Sequence, residues 1–230
     1  MFEFTAEEID AIRLSLWVAS IGILASLPFG MFVAYALARW RFPGKIILDA
    51  LVHMPLVLPP VVTGYILLIL FGRKGPIGAW LEQTFGIVFS FRWTGAALAA
   101  AVMGFPLMVR AIRLSLESTD RRLEDASRTL GANGLVTFFL VTLPLALPGI
   151  LAGLVLSFAK ALGEFGATIT FVSNIPGETR TLPSAIYTFT QIPGGDAGAF
   201  RLAAVAMVIA LGALVISEVL ARKTAARIEG

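Results

Sequence analysis

The 230-residue sequence has no cysteine and a single histidine, His53. Disulfides and thiolate metal sites are therefore excluded, and one imidazole leaves no nitrogen cluster for zinc. Charge is also scarce. Asp, Glu, Lys and Arg make up 14% of the chain, against about 25% in an average soluble domain. So little charge cannot keep a chain of this size in water, which excludes a simple soluble enzyme and points to an integral membrane protein. The formal net charge of +3 is too small to argue for a nucleic acid partner. A basic n-region is missing too, because the chain opens with acidic Glu3, Glu7, Glu8 and Asp10. No cleavable signal peptide is expected, and the first apolar run should stay in the mature protein.

What the chain has in quantity is apolar sequence, at 57% hydrophobic residues and a mean hydropathy of +0.86. A helix needs about 20 apolar residues to cross about 30 Å of hydrocarbon. Five stretches qualify or nearly so: Leu14–Ala38, Ile46–Phe71, Trp93–Val109, Leu135–Ala159 and Leu202–Ala221. The expected fold is an all-α membrane protein with five transmembrane helices in one domain spanning residues 1–230. Pro28 interrupts the first span, and Pro55, Pro59 and Pro60 interrupt the second. Such breaks persist in a bilayer where neighbouring helices or a cavity satisfy the freed carbonyls. The three prolines of the second span can form part of a gate or a purely architectural kink. Phe165–Gln191 carries Asn174, Glu178, Arg180 and two prolines, so a re-entrant or interfacial short helix at the outer face fits better than a sixth span.

Lys and Arg set the orientation. With the N-terminus outside and the C-terminus inside, eleven of the 18 basic residues fall on the inner side, including Arg110, Arg113, Arg121, Arg122 and Arg128. The inner segment between the third and fourth spans is the most informative. Leu123–Leu130 has good helix formers, acids near its start and Arg128 near its end, which suits the helix dipole. Gly131 can close it, since glycine adopts positive φ at no steric cost. A short helix over residues 123–131 is expected along the cytoplasmic surface, with Leu123, Ala126 and Leu130 on one face. It is either a docking element or a solvated connector.

The run Asp125-Ala126-Ser127, then Gly131, then Val141 and Leu143-Pro144 resembles the EAA signature of ABC-importer permeases, in which Glu-Ala-Ala is followed at the same spacings by Gly, Ile and Leu-Pro. Asp125, Ser127 and Val141 are the departures, each conservative in size or charge. Phe42–Lys45, Pro55–Val62, Gly104–Arg113, Arg128–Ala132 and Gly163–Thr181 extend the likeness to the molybdate permease family, and sulfate and thiosulfate permeases share the Gly-Glu-aromatic-Gly pattern at Gly163–Gly166. The resemblance implies a type I ABC importer permease fold that works as a homodimer. It further implies two cytoplasmic ABC ATPase subunits, a periplasmic or extracellular molybdate-binding protein, and a place in the inner membrane. Some relatives carry an additional N-terminal membrane helix, which this chain is expected to lack. The resemblance assigns Leu123, Glu124, Asp125, Ala126, Ser127, Arg128, Leu130 and Gly131 to ATPase coupling.

No Gly-x-x-x-x-Gly-Lys-[Ser/Thr] phosphate cradle occurs in the chain, so ATP and Mg belong on the partner, and no catalytic residue, metal or cofactor is expected here. For a pathway, Thr63, Ser157, Thr168, Thr170, Ser173 and Asn174 can offer neutral hydrogen bonds weak enough to release a dianion. Pro59, Pro60 and Phe165 are candidate gate residues. Lys160 either attracts the anion or snorkels from a helix end. Glu164 fits a gate-stabilising hydrogen bond or a substrate contact, and Arg180 a pair with Glu178, an attraction at the outer mouth or a contact with the binding protein. Asp49 and His53, four apart, suit a local pair. Gly149 and Gly153 suit a close helix contact, and Glu218 a pair with a nearby Arg. A sulfate or thiosulfate permease is the alternative within the class, and an ion-coupled secondary transporter the alternative outside it.

Overall fold

The computed structural model describes residues 4–229, with the backbone alone at Ser217, Glu218 and residues 220–229. The expected pairing of Glu218 lies outside the described residues. Helices in chain order are α1 (Ala6–Arg39), α2 (Lys45–Val57), α3 (Pro60–Phe71), α4 (Pro76–Phe85), α5 (Trp93–Ser118) and α6 (Arg121–Thr129). They continue with α7 (Gly134–Thr137), a π segment (Phe138–Thr142), α8 (Leu143–Leu162), α9 (Gly166–Val172), α10 (Leu182–Thr190) and α11 (Asp196–Glu229).

Among the described residues four stretches are long and apolar enough to cross a membrane: α1, α5, Gly134–Leu162 and Asp196–Ile216. The bent pair α2 and α3 makes a fifth if it counts as one span. The interruption expected within Ile46–Phe71 falls at Pro59 and Pro60. The two halves meet at 116°. Pro59 and Pro60 supply no N–H to continue the α2 ladder, while Pro60 suits the first position of a new helix. Pro28 and Pro55, by contrast, are absorbed inside α1 and α2 without ending them.

α1 begins eight residues before its apolar run. Thr5 and Glu8 form a reciprocal capping box that holds the polar first turn. α4 has no counterpart in the expected set, although Pro76 at its first position and Gly86 just past its end mark it in the sequence. Phe165–Gln191 contains two short helices, α9 buried against α3 and α5, and α10 against α11 and α1.

α5 is the central element and touches α1, α2, α3, α8 and α9. It runs antiparallel to α1: Trp93 at its start packs on Trp17 with ring centres 6.2 Å apart, and Thr119 just past its end accepts from Arg39. Ala96, Ala97, Ala99, Ala100 and Gly104 line its buried side, so helix backbones approach closely. A Cβ at Gly22 would run into the Ala97 carbonyl, and one at Gly149 into Ser115 of α5. The expected close contact at Gly149 and Gly153 is therefore the α5–α8 crossing. α6 lies at the Arg39 end of this bundle, and the Thr5 end is opposite.

Candidate functional site

α6 is built locally and then tied to the body. The Asp120 side chain accepts from the Arg122 N–H at 2.9 Å and caps the first turn, so the helix starts two residues earlier than expected. At the other end the Ala132 N–H bonds to the Ser127 carbonyl and the Gly131 N–H to the Arg128 carbonyl. Those two bonds are a Schellman closure. Gly131 takes φ +92° with open space around it, so the left-handed backbone alone requires glycine there.

The two sides of α6 differ. Leu123 is 50% exposed and Leu130 is 88% exposed, and Ala126, Asp125 and Arg128 are exposed with them. Arg128 approaches Asp125 only to 4.0 Å. Glu124, grouped by resemblance with the partner-facing residues, turns inward instead. Its carboxylate lies 2.9 Å from the Arg39 guanidinium at the end of α1 and accepts from the Thr142 hydroxyl at 3.1 Å. Arg121 donates to the Ala38 carbonyl at 3.0 Å, and the Ser127 and Thr137 hydroxyls meet at 3.3 Å. α6 is thus fixed to the end of α1 and to the start of the helix that becomes α8. Nearby, Arg113 of α5 bridges Asp49 of α2 at 3.0 Å and Glu117 at 2.8 Å. The expected Asp49–His53 pair is present, with 2.9 Å from Nδ1 to the Asp49 carbonyl, but Arg113 is the stronger partner of that aspartate.

The other candidate residues divide into two places. Pro59, Pro60, Thr63, Phe165, Thr168 and Thr170 gather where α3 meets α9. A Cβ on Gly166 would stand 2.8 Å from Pro60, and one on Gly64 2.9 Å from Thr170. Thr168 is buried, Thr170 back-bonds to the Gly166 carbonyl, and Thr63 is buried with no partner for its hydroxyl among the described residues. Phe165 packs on Tyr187 at 5.2 Å between ring centres. Ser157 stands apart from this group. Its hydroxyl donates to the Gly104 carbonyl at 2.9 Å and clamps α8 to α5.

The charged candidates are already paired. Lys160 lies 2.8 Å from Glu164, whose other oxygen accepts from the Ala167 N–H and so caps α9. Arg180 pairs with Glu7 at 3.4 Å and with Asn174 at 3.1 Å, not with Glu178, because the tight turn at Ile175–Arg180 carries it toward α1. Asn174 in turn donates to Thr188 at 2.8 Å. Ser173 ends α9 at φ +67° and is exposed. Sequence reasoning missed the ion pair of fully buried Glu8 with Arg201, 2.7 Å apart. Thr5-x-x-Glu8 was its readable half.

A cavity of about 680 Å³ between α1, α2 and α5 is no route for a dianion. Its lining is apolar apart from Ser26 and Thr94, and both hydroxyls are spent on backbone carbonyls.

Residues 26–226 match the family described as binding-protein-dependent transport system inner membrane component. The chain is 62% identical over 218 residues to the molybdenum transport system permease protein ModB of Escherichia coli K12, covering 95% of both chains. The sulfate transport system permease protein CysW of Synechococcus elongatus is further away, 41% identical over 174 residues, 76% of this chain and 60% of that one. Among solved structures, a bacterial ABC transporter for import of the acidic polysaccharide alginate shares the fold, with a TM-score of 0.69 over 99% of this chain and 82% of that one at 17% identity. With its apolar helices and the family match over most of its length, this chain is a multi-pass inner-membrane protein and belongs to the inner-membrane components of binding-protein-dependent transport systems.

Proposed function

We propose that the chain is the membrane subunit of an ATP-driven molybdate importer, with tungstate as a second substrate. The observation that carries this reading is the 62% identity to a molybdenum permease over 95% of both chains. In this reading the chain is a single permease domain of five spans, counting α2 and α3 as one bent span. Its N-terminus is outside and its C-terminus inside. The basic residues around α6, among them Arg39, Arg121, Arg122 and Arg128, support that orientation. Two copies enclose the pathway, two cytoplasmic ATPase subunits each receive an α6, and an external binding protein delivers the anion.

The mechanics follow from how α6 is held. Its exposed apolar side, Leu123, Ala126 and Leu130, seats in the ATPase, while Glu124, Arg121 and Ser127 tie its other side to α1 and α7. Closure of the ATPases on ATP carries α6 as a rigid body and draws the ends of α1 and α8 with it, opening the permease outward. Hydrolysis reverses the stroke. Binding protein and nucleotide must both favour the same conformer, since a ligand shifts an equilibrium only by differential affinity. The α3–α9 contact, with Pro59, Pro60, Thr63, Phe165, Thr168, Thr170 and Ser173, is the gate region of the pathway. Neutral hydroxyls there hold a dianion weakly enough to release it. The Lys160–Glu164 pair supports that gate without offering a free charge.

Reconstitution with the partner ATPase and the binding protein tests the reading by ATP-dependent uptake of labelled molybdate against sulfate. The expected result is uptake that needs ATP and resists excess sulfate. Efficient sulfate competition transfers the assignment to a sulfate permease, and uptake without ATP overturns it.

A further inference from the structure

At the end of the bundle opposite α6, the corner between α3 and α4 and the turn before α5 enclose a second cavity, of about 370 Å³. Arg73 and Lys74 line one side and are exposed. Among the described residues, neither has a carboxylate within ion-pair distance. Ser90 lines the same cavity, is 4% exposed, and its hydroxyl has no hydrogen-bond partner among the described residues. An unpaired buried hydroxyl is costly, so a site that retains one points to an acceptor from outside the chain. Its neighbour Phe91 sits at φ +59°, a conformation that a bulky residue rarely adopts. Two cations and a hydroxyl donor together suit a ligand that only accepts, such as a phosphate-type oxyanion.

The rest of the lining identifies the carrier of that oxyanion. Leu68, Ile69 and Phe91 form an apolar wall, and Ile69 and Phe91 are about half exposed, so the cavity opens on the surface of the chain. Trp93, three residues from Ser90, packs on Trp17, and tryptophan is enriched at the headgroup level of a bilayer. A free anion makes no use of an apolar wall, whereas a phospholipid lays its chains along one while its phosphate meets the cations. We propose that Arg73, Lys74 and Ser90 form a binding site for the headgroup of an anionic phospholipid. The site rests on residence in the membrane and not on the identity of the transported ion.

Native mass spectrometry of the full-length chain, delipidated in detergent and then given phosphatidylglycerol, phosphatidylcholine or inorganic phosphate, tests the site. The wild type is expected to retain one phosphatidylglycerol per chain in preference to phosphatidylcholine. The double variant Arg73→Gln/Lys74→Gln should weaken retention about 30-fold, and Ser90→Ala should weaken it by a smaller factor. Arg122→Gln, which removes an exposed cation at the α6 end, should leave retention unchanged. Equal retention of the two lipids, equal retention by wild type and double variant, or the same loss in Arg122→Gln each overturns the site. Binding of inorganic phosphate in place of the lipid, with the same dependence on Arg73 and Lys74, overturns the lipid as its occupant.

Discussion

The Arg39 guanidinium and the Glu124 carboxylate lie 2.9 Å apart with both side chains almost fully buried, joining the last turn of α1 to α6. Removing one partner strands the other charge away from water. Glu124→Met and Arg39→Met are each expected to destabilise the chain by about 3 kcal/mol, whereas Arg39→Met/Glu124→Met should lose less than either single variant. Thermal unfolding of the four species in detergent, read as a double-mutant cycle, checks it. A double-variant loss equal to the sum of the two single losses would show that the two side chains do not couple.

Leu123 and Leu130 carry the opposite expectation. Both are exposed, so Leu123→Ala/Leu130→Ala should change stability by no more than about 0.5 kcal/mol. In the reconstituted transporter the same double variant should abolish ATP-dependent uptake while the ATPase subunits still turn over. Full uptake by this variant removes α6 from the coupling role.

Gly131 separates backbone strain from packing. Its φ is +92° and nothing surrounds the position where a Cβ would sit. Gly131→Ala should therefore cost about 1–2 kcal/mol through backbone conformation alone, and larger residues should cost about the same as alanine. A steep dependence on side-chain size would mean that packing, not φ, demands glycine here.

Ser157 and Lys160 test what counts as pathway. Because the Ser157 hydroxyl is committed to the Gly104 carbonyl, Ser157→Ala should lower stability by about 1 kcal/mol and leave the KM for molybdate unchanged. Lys160→Gln leaves the buried Glu164 carboxylate without its cation. It should destabilise the chain, and Lys160→Gln/Glu164→Gln should restore part of the loss. A KM that rises with Lys160→Gln at unchanged stability would make Lys160 an anion receptor instead.

Much of this architecture was legible in the residues, but unevenly. Apolar runs locate the membrane helices because hydrocarbon demands length and hydropathy, yet they say nothing of where a helix ends once it leaves the lipid. The capping box at Thr5 and Glu8 and the turn before Arg121 settle those ends through local hydrogen bonds. The Leu123–Leu130 helix was readable from its charge order and Gly131, whereas the inward turn of Glu124 depends on Arg39, far away in sequence. Pro59 and Pro60 announce a break but not its 116° angle, and α3 beyond it packs on α9, which is far away in sequence. The Lys160–Glu164 pair was within reach, since its i,i+4 spacing is visible in the sequence.

The π segment Phe138–Thr142 starts just after the anchoring hydroxyl of Thr137, ends on that of Thr142 and leads into the tightly packed body of α8. Its wider turns put the backbone out of step with the rungs on either side, and such turns recur where helices serve a function. Both of its ends are tied to α6, so a displacement of α6 acts on these five residues before it reaches the glycine-lined crossing above. The widest-wound stretch of the rod is thus the one that α6 grips.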